Sequence, residues 1–106
     1  MERRNRVTMD ILAKVYFKSD SIVFRKIGDE FILVPIRHNV GDLDSIYTLN
    51  ETAARIWELI DGKRSLHEIK NMMIEEFDVT PAEAENDLIE HLQQLEGIKA
   101  VSANAR

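Results

Sequence analysis

The hydrophobic pattern of this 106-residue chain changes its period once, at Asn50. Between residues 22 and 49, β-branched and aromatic residues are concentrated in three short runs, which is typical of β-strands. After Asn50, apolar residues recur every three to four positions, which indicates amphipathic helices. A single change of this kind in so short a chain predicts one α+β domain spanning residues 1–106, with a three-stranded antiparallel sheet followed by a three-helix bundle.

The three predicted strands differ in their residues and in the turns that flank them. Gly28 and Asp29 separate the runs SIVFRKI and EFILVPIR, and they fit a two-residue hairpin whose first central position requires a positive φ. Residues 31–34 are all apolar, as expected for a middle strand that is covered on both faces. Pro35 lacks an N–H, so we expect the strand pairing to stop or to bulge there. The third run, SIYTLN, leads directly into the helices.

Each of the three predicted helices begins with a capping signal. Asn50 is suited to cap the first helix. The sequence SLHE, starting at Ser65, predicts a capping box for the second helix. The sequence TPAE, starting at Thr80, predicts another for the third, with proline where no N–H is needed. Gly62 and Gly97 are placed to end the first and third helices. The predicted buried stripes are Ala53, Ile56, Trp57 and Ile60; Leu66, Ile69, Met73 and Phe77; and Ala84, Leu88, Leu92 and Leu95.

Residues 7–20, VTMDILAKVYFKSD, have an ambiguous pattern. Ile11, Ala13, Val15 and Phe17 alternate as in a strand, whereas apolar pairs spaced by four residues also suit a helical turn. We interpret residues 1–20 as an N-terminal arm, flexible or swapped, that packs in an extended form on the domain or on a neighbouring copy. The second alternative implies a homodimer.

The charge distribution bears on nucleic-acid binding. A small sheet combined with three helices is close to a winged helix, whose DNA-reading forms insert a helix into the major groove. The net charge is −5, and no lysine or arginine lies between Thr80 and Glu96, a segment with five carboxylates. Such a helix would be repelled by phosphates, so the sequence predicts no nucleic-acid partner. A winged-helix regulator is kept as the alternative.

The chain lacks the sequence features of the common catalytic and metal sites. It has no cysteine, which excludes thiolate ligands and thiol catalysis. His38, His67 and His91 are not spaced by three or four residues, and there is no glycine-rich phosphate loop or nucleophile elbow. No apolar run approaches the roughly 18 residues of a membrane span, and no signal peptide is evident. We therefore expect a cytoplasmic, non-enzymatic protein with no cofactor, metal or membrane partner.

The remaining candidate for function is an edge of the predicted sheet. An outer strand exposes unpaired N–H and C=O groups, which an extended peptide can bind by strand addition. Asp87, His91 and Gln94 lie along one border of the apolar stripe of the third helix. If that helix packs beside the last strand, the two elements would form the walls of a groove. The same three residues also fit a simple role at the rim of the core, and the sequence does not separate these alternatives.

The chain resembles the PqqD-like family. This family comprises the pyrroloquinoline quinone synthesis protein D and related elements that recognise precursor peptides. The resemblance covers roughly residues 15–101 and rests on the joint order and spacing of several short motifs. They are LN at 49–50, Trp57, DG at 61–62, EI at 68–69, Phe77, DL at 87–88, Leu95 and GI at 97–98.

The resemblance implies a function and a binding site. Family members bind the leader of a ribosomally made precursor peptide and present it to a modifying enzyme, often a radical S-adenosylmethionine (SAM) protein. The leader lies as an added strand between the third strand and the third helix. The positions of this chain that match the peptide-contacting positions of the family are Ser45, Ile46, Tyr47 and Thr48 on the strand and Asp87, Leu88, His91 and Gln94 on the helix.

Two departures from the family pattern accompany this resemblance. His91 stands where an aromatic or aliphatic residue is common, and the loop at residues 37–44 is longer than usual.

We expect proline at Tyr47 to impair peptide binding more than folding, because its N–H would matter only if the edge were used. An oligomeric scaffold, paired through the arm or the open strand edge, is a third alternative.

Overall fold

The fold is α+β, as predicted, with a three-stranded antiparallel sheet preceding three helices. The computed structural model describes residues 11–36 and 46–103. A second, two-stranded sheet joins the two ends of this described part. The elements in chain order are β1 (Phe17–Lys18), β2 (Ile22–Ile27), β3 (Glu30–Pro35), β4 (Tyr47–Leu49), α1 (Glu51–Leu59), α2 (Leu66–Phe77), α3 (Pro81–Gly97) and β5 (Val101–Ser102).

The predicted helix starts are confirmed by their hydrogen bonds. The Asn50 side chain accepts the Ala53 N–H at 2.8 Å at the start of α1. At the start of α2, Ser65 Oγ accepts the Glu68 N–H at 3.2 Å, and the Glu68 carboxylate accepts the Ser65 N–H at 2.9 Å. The same reciprocal pair is formed by Thr80 and Glu83 at the start of α3. These bonds satisfy N–H groups that have no partner inside a helix, and they fix where each helix begins.

The core is formed by the stripes that the sequence predicted. All of their members are buried except Phe77, which is half-buried against the cluster. Ile56, Leu66 and Leu88 are fully buried, at 0% exposure. Gly62 has φ +76°, so the chain does turn through a left-handed conformation after α1, two residues beyond the C-cap Ile60. The helices therefore pack as a bundle around one apolar centre.

The three-stranded sheet has the order β2-β3-β4, which confirms β3 as the middle strand. Gly28 adopts φ +62° in the two-residue turn between β2 and β3, as predicted. The β3–β4 pairing that the structure describes runs from Phe31 and Leu49 to Leu33 and Tyr47, and Ser45, the residue that this register puts opposite Pro35, lies outside the described residues. On the other side of β3, pairing continues to Pro35, which faces Ile22. The described residues thus show that pairing with β2 continues through Pro35, and the expected stop on its β4 side stays a prediction.

The two ends of the described chain meet in a short antiparallel sheet that we call the clasp, consisting of β1 and β5. Phe17 pairs with Ser102, and Lys18 pairs with Val101. Just before β1, the Lys14 carbonyl accepts the N–H of Leu66, the first residue of α2, and the Tyr16 carbonyl accepts the N–H of Gly62, at 3.0 Å each. Residues 11–20 therefore pack on their own domain in a largely extended form, with a helical turn at 11–12. The sequence analysis did not predict β5.

Candidate peptide-binding groove

Among residues 11–36 and 46–103, β4 is the outer strand of its sheet, and the register determines the direction of its backbone groups. The Ile36 N–H donates to the Ser21 carbonyl at 2.8 Å, so the even-numbered residues of β3 direct their N–H and C=O groups toward β2. Its odd-numbered residues therefore face β4, where Leu33 is paired with Tyr47. It follows that the backbone of Tyr47 points to β3, while the backbone of Thr48 points to the open edge.

The open edge is completed by Ile46, which precedes Thr48 by two residues and has the same orientation. Its side chain is 51% exposed, and that of Thr48 is also exposed. Tyr47 and Leu49 direct their side chains to the opposite face, toward the helices, where Leu49 is buried. The expectation that proline at Tyr47 would test the edge is wrong, because the Tyr47 N–H belongs to the internal ladder. Thr48 is the position whose N–H an added strand would use.

The third helix lies across from this edge. The Tyr47 hydroxyl donates to Gln94 Oε1 at 2.6 Å, so the Gln94 side of α3 faces β4. Glu85, nine residues earlier and so on the opposite side of the helix, accepts a hydrogen bond from Lys70 of α2 at 3.0 Å. α3 is therefore flanked by α2 on one side and by β4 on the other. We call the space between the β4 edge and the Gln94 side of α3 the groove.

The predicted helix residues do not all reach the groove. Asp87 precedes Gln94 by two helical turns and projects in nearly the same direction, while His91 lies between that direction and the core. Both side chains are half-buried, and neither has a side-chain partner within residues 11–36 and 46–103. Leu88 is fully buried, so it holds α3 against the core from beneath and offers the groove no surface. That position is therefore corrected from a wall residue to a core residue.

The structure brings most of the other predicted positions to one place. Ile46, Tyr47 and Thr48 stand on one side, and Asp87, His91 and Gln94 on the other. Ser45 lies outside the described residues. The sequence analysis missed Ile98, which caps α3, is 37% exposed and lies one turn beyond Gln94. The spacing of four residues from Gln94 to Ile98 is the signal that would have found it.

The pKa values of Tyr16 and Lys18 are shifted on the other side of α3, at the clasp and just before it. Burial raises the pKa of the Tyr16 hydroxyl, and the neighbouring Glu96 carboxylate raises it further. Burial lowers the pKa of Lys18, an effect that Glu58 and Asp61 partly oppose. Lys18 Nζ lies 5.0 Å from the centre of the Trp57 ring, where a cation is favoured by the ring electrons. These groups act in packing, because they lie away from the open edge.

Metal-ligating and membrane-spanning features are not found in the described part of the chain. Within it, no three or more histidine, aspartate or glutamate side chains are grouped in a way that could hold a metal ion. No helix there has the length and apolar character needed to cross a membrane. The groups on the groove side are backbone N–H and C=O groups, the Tyr47 phenol, the Gln94 carboxamide, the His91 imidazole, and the carboxylates of Asp87 and Glu90. Such groups suit recognition of an extended peptide.

The family model of coenzyme PQQ synthesis protein D (PqqD) matches residues 30–101, which include β3, β4, the three helices and the start of β5. The chain belongs to the PqqD family. No curated protein matches the sequence.

Two solved structures share the PqqD-family fold of this chain. One is TbiB1 in complex with the TbiA(beta) leader peptide, with a TM-score of 0.68 and 24% identity, covering 85% of this chain and 99% of TbiB1. The other is lasso peptide synthetase B1 complexed with the leader peptide, with a TM-score of 0.68 and 18% identity, covering 82% of this chain and 96% of that one. At these identities the two structures show a common fold.

Proposed function

We propose that this PqqD-family protein is a non-enzymatic adaptor that binds the leader of a ribosomally made precursor peptide by strand addition. The leader is held between β4 and α3 and is presented to a modifying enzyme. The observation that carries the proposal is the open edge of β4, where the backbones of Thr48 and Ile46 face away from β3. An extended peptide gains its main-chain hydrogen bonds from such an edge.

Three further observations support this proposal. The chain belongs to a family whose model covers both walls of the groove. The two solved structures with the same fold are each described as complexes with a leader peptide. The Tyr47–Gln94 hydrogen bond places α3 beside the open edge, so an added strand would meet side chains as well as backbone. The backbone of β4 would then supply affinity for the peptide, and the side chains of α3 would supply selectivity.

The proposal also includes a partner enzyme and a pathway. By analogy with the family resemblance, the enzyme is a radical SAM protein acting in the cytoplasm. The pathway makes pyrroloquinoline quinone or another modified peptide. An adaptor of this kind acts by raising the local concentration of the peptide at the enzyme, so it needs no catalytic group of its own.

The proposal is tested by amide hydrogen exchange with the leader peptide encoded beside this gene. We expect the Thr48 amide, and that of Ile46, to gain protection on binding, because they face the added strand. The Tyr47 amide bonds to β3 already and should change less. Protection confined to other elements, or none at saturating peptide, would contradict the groove assignment.

A variant pair separates loss of binding from loss of folding. Thr48→Pro removes the outward N–H and should weaken leader binding by about tenfold or more, on the order of 1.4 kcal/mol. Thr48→Val keeps both the N–H and the branched shape, so its affinity should stay close to that of the unmodified protein. Circular dichroism checks that both variants are folded. Light scattering across concentration distinguishes peptide capture from pairing of two β4 edges in a homodimer.

A further inference from the structure

The five carboxylates of α3 differ in whether the fold already uses them. Three have a structural partner: Glu83 closes the capping box, Glu85 bonds to Lys70, and Glu96 lies against Tyr16. Asp87 and Glu90 have no side-chain partner among the residues that the structure describes. These two lie on the groove side of the helix, close to the direction of Gln94.

The groove wall of α3 is therefore negative without compensation from its own helix. No lysine or arginine occurs in Pro81–Gly97. Asp87 is half-buried, so its charge is less screened by water than that of a fully exposed carboxylate. An opposite charge on a bound peptide would be attracted to it, and a like charge would be repelled.

An added strand would direct alternate side chains toward this wall. A peptide residue paired with Thr48 points its side chain to the outer face of the sheet, as Thr48 does. Its neighbours, opposite Tyr47 and Leu49, point toward α3. The peptide thus presents every second side chain to the negative wall.

The spacing along the helix and the alternation of an extended peptide together limit where a charged peptide residue can lie. Asp87 and Gln94 are seven residues apart, which is about 10 Å along a helix. An extended peptide covers that distance in about three residues. Because the side chains alternate, a peptide residue that faces Asp87 lies an even number of residues from the one beside the Tyr47–Gln94 hydrogen bond.

We propose that the groove selects a leader segment with a lysine or arginine facing Asp87, an even number of residues from the residue beside Tyr47. This inference rests on the proposed function, since it specifies the peptide that the same groove binds. The contact is a partly exposed ion pair, so a cation at this position should improve affinity about fivefold over a neutral residue.

The experiment pans a random-peptide display library, which requires no knowledge of the natural leader. The baits are the unmodified protein, Asp87→Lys and Glu75→Lys. Glu75 is exposed on α2, so its replacement makes the same change in net charge outside the groove. We expect lysine or arginine at one fixed position in peptides selected by the unmodified protein and by Glu75→Lys. Aspartate or glutamate should replace it in those selected by Asp87→Lys.

The outcomes separate this inference from the function on which it rests. Selected peptides that protect the Thr48 amide from exchange, but show no charge preference, would leave the proposed function standing and overturn the charge selection. The same charge preference with all three baits would also overturn it, because it would then arise from net charge. If no selected peptide protects the Thr48 amide, both the proposed function and this inference fail. The affinities of one selected peptide and of its Lys→Glu form are then measured for all three proteins. Their ratio gives the fold-change in affinity that the peptide charge causes.

Discussion

The two sides of α3 have opposite characters. On the clasp side, the helix is followed by Ala100 and Val101, both buried, and Glu96 lies against the buried Tyr16. On the groove side, one exposed hydrogen bond, Tyr47 to Gln94, is the only side-chain bond to the three-stranded sheet among the described residues.

This difference assigns stability and binding to separate regions. Apolar burial contributes most of the free energy of folding, and it is concentrated at the core and beneath the clasp. The groove keeps backbone groups and a carboxylate free of internal partners, which does little for folding but leaves them available to a ligand. Changes at the clasp should therefore act mainly on stability, and changes at the groove mainly on binding.

The largest expected effect is that of Trp57→Ala. Trp57 is 3% exposed and lies under Lys18 of the clasp. Removing a buried ring of this size should lower the free energy of unfolding by about 3–5 kcal/mol. Denaturant titration measures this loss. Lys18→Met is the control, because it removes only the cation and should cost about 0.5–1 kcal/mol. A similar loss from both variants would show that the ring itself contributes little.

An intermediate effect is expected for Gly62→Ala. The residue has φ +76°, and a Cβ there would lie 2.9 Å from Cδ2 of Phe17 in β1. Strain and steric overlap together should cost about 1–3 kcal/mol in thermal or denaturant unfolding. Gly28→Ala provides a matched control, since φ is +62° but a Cβ would meet no atom within 4 Å. Equal losses at the two glycines would mean that the contact with Phe17 is readily relieved.

The smallest effect on stability is expected for Tyr47→Phe. The hydroxyl bond to Gln94 is exposed, so its loss should cost about 0.5–1 kcal/mol at most. Chemical-shift changes should centre on Gln94 and its neighbours in α3. A loss as large as that of Trp57→Ala would contradict the assignment of stability to the core and the clasp. The groove side of α3 would then contribute much of the free energy of folding.

The local features of this fold were predictable from the sequence. The caps at Asn50, Ser65 and Thr80 depend on residues three positions apart, and the buried stripes follow from helical periodicity. The hairpin at Gly28 needs only a two-residue turn. The three-stranded sheet and the helices therefore match the expectation closely.

The features that the sequence did not give depend on contacts between distant residues. The Tyr47–Gln94 bond spans 47 residues, and β5 is a strand only because Phe17 and Lys18 lie beside it. Whether Tyr47 or Thr48 faces the open edge follows from the register of the sheet, which the run SIYTLN does not contain by itself. Leu88 was misplaced for a related reason, since adjacent residues of a helix point to different sides.

The clasp has a consequence for where a probe can be attached to this domain. Because β1 and β5 are antiparallel neighbours, a strand near the start of the described chain and a strand near its end lie side by side. This pair of strands lies on the Glu96 side of α3, away from the open edge of β4. A probe attached to the exposed side chain of Ser102 in β5 would thus lie apart from the groove and could report on the protein without covering the peptide site.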